Sequence, residues 1–352
     1  MAGKAAAENK WFTAAAAYDI IRRTMMTAHD KEGQMDAELK KRCDLFINNY
    51  RILSSEFRSE DDDIILSACC LMAGRNCAAD PQRIREAVDI LKENAGPFSA
   101  FRGSAMVPLV CKMSFADDPA EYLDDVAGIC AELNQGAVKG NPMIIPAAMI
   151  IWVHVKGEDP EETVAQTKEI FRRMKKAHPF LTSEEDIPFA AMLASAGPET
   201  DEETDTRIAR TEEIYKILSK EFWDKNAAQS LSHVLALIDA PAEETCGRAL
   251  EIYDILKKKG RKFGSGRSLS VLGSLVMTEI GAEEVAEELL DAEAYLTARL
   301  PAIADDEKEI RLVYAAQMVY STHLEKAGTA AFAVLGLTME ASVGIGELSL
   351  FM

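Results

Sequence analysis

Residues 159–174 read DPEETVAQTKEIFRRM. An aspartate before a first-turn proline is a typical helix start, because the carboxylate caps free N–H groups and proline lacks the N–H that would otherwise be unpaired. The positions of one stripe then recur every three or four residues, at Val164, Thr167, Ile170-Phe171 and Met174. This stretch therefore predicts an amphipathic helix that begins at Pro160 and buries one apolar stripe.

The same pattern recurs along the chain. The central pair Ile170-Phe171 returns as Ile214-Tyr215, 44 residues further on, and again as Ile252-Tyr253 after another 38 residues. Weaker copies occur at intervals of similar length. The helix start recurs as well, at Asp80-Pro81 and Asp118-Pro119. The chain is therefore predicted to be a tandem repeat with a period of about 40 residues.

A second, more apolar helix precedes each amphipathic one. Helices that are apolar on most faces are buried on both sides, so we assign these to an inner layer and the charged amphipathic helices to an outer layer. The inner segments are 64–72, 106–113, 143–153, 187–193, 231–238 and 269–277.

The predicted fold class is all-α, a right-handed α-α superhelix of helical hairpins of the HEAT or tetratricopeptide kind. The alternative is a closed toroid of six hairpins. We favour the open superhelix because a period of about 40 residues matches HEAT-like repeats, whereas toroid enzymes generally have longer hairpins that carry catalytic loops.

We predict one continuous unit in three parts. Residues 1–58 form an N-terminal helical cap, with apolar stripes that begin at Tyr18 and Cys43. Residues 59–300 hold the repeats, and 301–352 hold C-terminal capping helices at 310–320 and 327–339 followed by an apolar tail.

Composition limits the classes of function. The net charge of −19 disfavours nucleic acid as a partner. The longest apolar run, from Ala327 to Met339, is shorter than the ~20 residues that cross a bilayer, so no membrane partner is expected. Seven cysteines, an odd number, favour a reducing compartment, and we expect the cytoplasm.

Unusual sequences cluster where an outer helix leads to the next inner helix. In an alternating stack these connections emerge at one edge. They are the stretches 98–102 (FSAFR), 178–186 (HPFLTSEED), 223–226 (WDKN, leading to Gln229) and 263–267 (FGSGR).

On these segments the chain resembles a bacterial domain-of-unknown-function family, number four thousand and three in that series. The matching residues are the stretches at 98–102 and 178–186 and the motif Gln229-x-x-Ser232-His233. Ala228 departs from the leucine expected before the glutamine. The resemblance covers most of the chain and implies the fold without implying an activity.

The candidate ligand-binding residues are five polar side chains of these connections. The strongest group is His178, Asp186 and His233, with Gln229 and Arg102 added. A structural interpretation stands beside each. Thr182 or Ser183 can cap a helix, both histidines can be satisfied by internal hydrogen bonds, and Arg102 can stack on Phe101.

The function that this pattern favours is a binding or scaffolding module for a peptide, a protein or a small ligand. The alternative is an enzyme or small-molecule sensor with a polar cavity around His178, Asp186 and His233. The sequence holds no phosphate loop, nucleophile elbow or closely spaced metal ligands, so no catalytic residue, cofactor or metal is expected.

Overall fold

A computed structural model of the chain describes residues 35–96, 99–103, 105–135, 143–155, 159–195, 201–263, 266–305 and 308–327. More than two-thirds of these residues are helical and none lies in a strand, which confirms the all-α class. The α-helices of the described residues are α1 (Ala37–Glu56), α2 (Asp62–Gly74), α3 (Pro81–Asn94), α4 (Met106–Phe115), α5 (Pro119–Leu133), α6 (Ile144–Val155), α7 (Glu161–Ala177), α8 (Ile187–Ser195), α9 (Asp201–Glu221), α10 (Lys225–Leu235), α11 (Ala242–Lys258), α12 (Val271–Val276), α13 (Ala282–Thr297), α14 (Pro301–Asp305) and α15 (Lys308–Ala327).

The Asp-Pro pairs start helices as predicted. The Asp80 carboxylate accepts hydrogen bonds from the first-turn N–H groups of α3, and Asp118 does the same for α5. Asp159 accepts from the backbone N of Glu161 at 3.0 Å, at the start of α7. These side chains satisfy N–H groups that have no partner within the helix.

Two boundaries differ from the prediction. The inner helix expected at 231–238 begins at Lys225, because Asp224 caps it, and ends at Leu235. The inner segment 269–277 is divided into a 3-10 turn at Gly266–Ser270 and the short helix α12. The stripe from Tyr18 and nearly all of the helix expected at 327–339 lie outside the described residues.

Burial separates two layers of helices. The outer helices are α1, α3, α5, α7, α9, α11 and α13, and each has a buried stripe and an exposed polar face in its described residues. The inner helices are α2, α4, α6, α8, α10, α12 and α15, and they are buried along most of their length. In α8 every residue is buried. The layer assignment made from hydropathy therefore agrees with the structure.

The array closes on itself. Each outer helix contacts the next one, and α13 contacts α1. The inner helices contact one another from α6 through α8, α10, α12 and α15 to α2 and α4. An open superhelix keeps its ends apart, so the preference for that arrangement was wrong. The alternative toroid is closer, although the contacts join seven helix pairs rather than six.

Specific side chains form the seam between the two ends of the array. The Tyr295 hydroxyl on α13 donates a hydrogen bond of 2.6 Å to the carboxylate of Asp44 on α1, 251 residues away in sequence. The rings of Phe46 on α1 and Tyr314 on α15 have centroids 6.0 Å apart. The pair formed by α1 and α2 therefore contacts the last helices of the array as well as the helices that follow it in sequence.

The reason for the error is physical. A repeat period fixes how long the helices of a hairpin are, whereas closure depends on the small rotation between neighbouring hairpins. That rotation is set by side-chain packing between repeats and has no simple signature in the spacing. The division into 1–58, 59–300 and 301–352 stays a prediction.

A recurring arginine supports the carboxyl ends of the inner helices. Arg248 on α11 donates to the carbonyl oxygens of Thr278 at 2.8 Å and Ile280 at 2.6 Å, beyond the end of α12. Arg210 and Arg42 donate in the same way to carbonyl oxygens at the ends of α10 and α2. These oxygens lie at or just beyond the helix ends, where carbonyl groups lack the next-turn N–H of a helix, and the positive charge also favours the negative end of the helix dipole.

Replacing either of two glycines by alanine tests the packing of the layers, because the two substitutions should change the free energy of unfolding in opposite directions. A Cβ on Gly273 in α12 would lie 2.6 Å from Cγ1 of Val234 in α10, so Gly273→Ala should lower the free energy of unfolding by about 1–3 kcal/mol. A Cβ on Gly128 in the exposed face of α5 meets no atom within 4 Å. Gly128→Ala should raise the stability by about 0.5–1 kcal/mol through helix propensity.

Urea denaturation of both variants checks this pair. Equal effects of the two substitutions, or a stabilising Gly273→Ala, would show that α10 and α12 are not in close contact.

Candidate functional site

A small pocket lies between the fourth helix pair, α7 and α8, and the fifth, α9 and α10. Its walls come from α7, α8, α9 and α10 and from the connection after α7. The pocket has room for about one water molecule. Three of the five candidate residues, His178, Gln229 and His233, line it.

His178 and Glu212 form the outer part of the pocket. His178 ends α7, where its backbone N–H donates to the carbonyl oxygen of Met174. Its Nε2 lies 2.8 Å from Oε1 of Glu212 on α9, and both side chains are partly exposed, at 17% and 29%. The ring of His178 also meets that of Tyr215 edge to face, with centroids 4.6 Å apart. The neighbouring outer helix therefore holds His178 in place.

His233 lies in the inner part of the pocket. Its side chain is buried, its ring packs on that of Phe189 with centroids 5.2 Å apart, and Nδ1 has no hydrogen-bond partner among the described residues. Burial, with a smaller contribution from His178, lowers the pKa of His233 to about 3. The imidazole is therefore neutral near pH 7 and offers one acceptor nitrogen.

Gln229 connects the pocket to the loop after α7. Its Nε2 donates to Oγ1 of Thr182 at 3.0 Å, and Thr182 Oγ1 donates to the carbonyl oxygen of Met174 at 3.1 Å. Thr182 is buried and does not cap a helix, so of the two capping residues considered it is not the one used. The hydrogen-bonded chain fixes Gln229 against the loop that carries His178.

Asp186 is buried but is not among the residues that line the pocket. The backbone N–H of Ser183 donates to its carboxylate at 2.7 Å, and Ser183 Oγ accepts from the backbone N of Glu185. This is the capping box of the short turn before α8, as the structural interpretation of Ser183 and Asp186 predicts. Burial raises the pKa of Asp186 to about 6, and the Ser183 hydrogen bond opposes part of that rise.

Arg102 lies in another part of the ring. It ends a 3-10 turn whose start is capped by Ser99, and its Nη1 approaches the carbonyl oxygen of Ala95 at 3.5 Å. It does not line the pocket. Phe98 and the side chain of Arg267 lie outside the described part of the chain.

The same edge carries two exposed aromatic side chains. Phe180, two residues after His178, is 98% exposed, and Trp223 on the next connection is 94% exposed. They are the large hydrophobic side chains that the described residues leave exposed. Because α7 and α9 are neighbours in the outer layer, the two connections that carry these residues lie side by side.

Sequence reasoning missed Glu212 and Tyr215 as pocket residues and Phe180 and Trp223 as exposed residues. Glu212 lies on the outer helix next to the repeat's central pair, where a glutamate is typical of a solvated face. The sequence does show a large aromatic residue on each of the two connections. The spacing alone does not show whether such a ring is exposed or buried. Phe263, on a comparable connection, is buried.

Among the described residues, no group of three or more histidine, cysteine or carboxylate side chains is arranged to hold a metal ion. All seven cysteines are free, and burial raises the thiol pKa of each of them, including Cys69 and Cys111. No described helix has both the length and the hydropathy needed to cross a bilayer.

The fold and the pocket define an all-helical protein built from a closed array of helix pairs. A family model described as "Protein of unknown function (DUF4003)" matches residues 49–343, and the chain belongs to that family. The resemblance noted in the sequence is confirmed. Searches of curated proteins and of solved structures give no significant match.

Asp186 makes a pH-dependent contribution to stability. Its native pKa of about 6 exceeds the unfolded value of about 3.9, so the native state binds more protons between these values, and this contribution falls as pH rises from 4 to 6. Asp186→Asn keeps an acceptor for Ser183 and removes the charge. Relative to the wild type, the variant should gain roughly 2–3 kcal/mol of stability between pH 4 and pH 7.

Urea denaturation at both pH values measures this difference. Glu184→Gln, at an exposed carboxylate on the same turn, is the control and should show no such change. A difference for Asp186→Asn that does not vary with pH would contradict the buried position of this carboxylate.

Proposed function

We propose that this protein is a binding module for a protein partner, and that the partner docks on the edge that carries Phe180 and Trp223. The single observation that supports this function is the near-complete exposure of two large aromatic side chains on adjacent connections. Exposed aromatic residues bury a large area when a partner covers them, and they are enriched among the residues that dominate binding energy.

The support comes from contrast within the chain. The ring at the comparable Phe263 is buried, as are the apolar faces of the inner helices, so the described apolar residues are otherwise well covered. Two neighbouring exceptions at one edge mark a surface that another molecule can cover.

The charge of the chain indicates the kind of partner. With 58 acidic and 39 basic side chains, the chain carries a net charge of −19. Long-range attraction therefore favours a partner with a basic surface, and the aromatic pair supplies short-range contact. The seven free cysteines favour a reducing compartment, so we place this interaction in the cytoplasm.

Site-specific cross-linking in the native host tests the proposal. A photoreactive phenylalanine analogue replaces Phe180 in one variant and Trp223 in a second. The control is the same replacement at Asp239, which is exposed on the opposite edge of the fifth pair. Both edge positions should give one common adduct to a protein with a basic surface, and Asp239 should not.

A double variant, Phe180→Ala with Trp223→Ala, separates binding from folding. Because both rings are exposed, its melting temperature should stay within about 1 °C of the wild type. In competition with a cross-linking variant, the wild-type chain should reduce the adduct and the double variant should not. Adducts of equal yield at Asp239, no adduct at either edge position, or a large loss of stability would contradict the proposal.

A further inference from the structure

The aliphatic hydroxyl groups of the pocket, on Thr211 and Ser232, use their hydrogens inside the protein. Thr211 Oγ1 donates to the carbonyl oxygen of Arg207 at 3.0 Å, and Ser232 Oγ donates to that of Gln229 at 2.7 Å. Both residues line the pocket. Each hydroxyl has a single hydrogen, so these oxygens offer only lone pairs to a bound molecule.

The pair formed by His178 and Glu212 in the outer part of the pocket uses a donor internally as well. An ionised carboxylate only accepts hydrogen bonds, so Nε2 of His178 carries the hydrogen of the 2.8 Å bond to Glu212 Oε1. That bond uses the Nε2 hydrogen of His178. Glu212 keeps its second oxygen and its negative charge.

The orientation of Gln229 follows from the same reasoning. The single hydrogen of Thr182 Oγ1 is given to the carbonyl oxygen of Met174, so the contact between Thr182 and Gln229 must be donated by the amide Nε2. The carbonyl Oε1 of Gln229 is then left as an acceptor. The neutral ring of His233 has one N–H and one acceptor nitrogen. With the hydrogen on Nε2, the acceptor is the buried Nδ1, which has no partner among the described residues.

The pocket therefore presents many acceptors, a negative charge and an aromatic ring. A carboxylate, a phosphate or a carbonyl would place lone pairs against lone pairs. A primary ammonium group has three donors, no acceptor and a positive charge, and its head is about the size of a water molecule. Tyr215 also lines the pocket, and aromatic rings attract cations.

We propose that the pocket lined by His178, Thr211, Glu212, Gln229, Ser232 and His233 binds a primary ammonium group. Glu212 neutralises the charge, which removes the main obstacle to placing a cation beside buried groups. The site stands independently of the edge formed by Phe180 and Trp223.

Calorimetric melting of the purified full chain at pH 7 tests the site, with methylammonium chloride as the probe. The melting temperature should rise and saturate with methylammonium. Sodium chloride and tetramethylammonium chloride at equal concentrations should not reproduce the rise, because neither cation has an N–H donor.

Glu212→Gln should weaken the apparent methylammonium affinity by about tenfold or more, because it removes the charge while keeping the shape. Glu288→Gln is the matched control. Glu288 forms a comparable pair with His323, at 2.5 Å between α13 and α15, and is not part of this pocket. It should keep the wild-type affinity.

A second readout needs no variant. In ¹⁵N-labelled wild-type protein, the imidazole resonances of His233 should shift with the same concentration dependence as the melting temperature. A melting rise shared by all three salts, unshifted His233 resonances, or an unchanged affinity in Glu212→Gln would overturn the proposal.

The source of the ammonium group is a separate arm of the experiment. Nα-acetyl-lysine amide carries a primary ammonium group on a side chain, whereas methylammonium represents a small free amine. Binding of both supports a site that accepts a lysine side chain, and binding of methylammonium alone supports a site for a free amine. Either result is independent of whether the edge binds a protein.

Discussion

The structure depends on the contact of its first outer helix with its last helices. In an open stack of repeats, the terminal units have apolar faces with no neighbour and need polar capping helices. Here α1 packs against α13 and α15, so the two ends cover each other. The contacts of α1 with α13, α15 and α2 bury Leu39, Cys43 and Phe46 fully. Each helix pair therefore has two neighbours, and the position of any one pair is fixed from both sides.

Closure also explains why the pocket is small and well defined. The fourth and fifth pairs cannot separate without displacing the pairs on either side, so the gap between α7 and α9 is bounded. Within that gap, His178 is held by Glu212 and Gln229 is held by Thr182. The polar groups are therefore oriented before any ligand arrives, which lowers the entropy that binding would otherwise cost.

Local features of the fold were predictable from the sequence, because they follow from chemistry within a few residues. Asp80 and Asp118 cap helices because a carboxylate directly before a first-turn proline lies within reach of the free N–H groups of that turn. The all-buried α8 follows from its apolar sequence. Closure of the array depends on packing between segments that are far apart in the chain. The contact of Gly273 with Val234 depends on packing between neighbouring repeats. The spacing of apolar residues encodes neither kind of packing.

The candidate site shows the same division. His178, Gln229 and His233 were identified from unusual polar residues at one edge, and the structure brings all three to one pocket. Asp186 belonged to the same sequence stretch but its carboxylate serves the capping box. Glu212 was not identifiable, because a glutamate on a solvated helix face acquires its role only from the neighbouring His178.

The most direct test of the closed array compares two distances measured between pairs of spin labels. One label sits at Asn48 on α1, and the second sits either at Ala294 on α13 or at Ala165 on α7; all three positions are exposed. A Cys77→Ser background removes the native cysteine that is partly exposed. The closed array predicts a shorter distance for Asn48 to Ala294 than for Asn48 to Ala165, because packed helix axes lie about 10 Å apart. A longer distance from Asn48 to Ala294 than to Ala165 would contradict it.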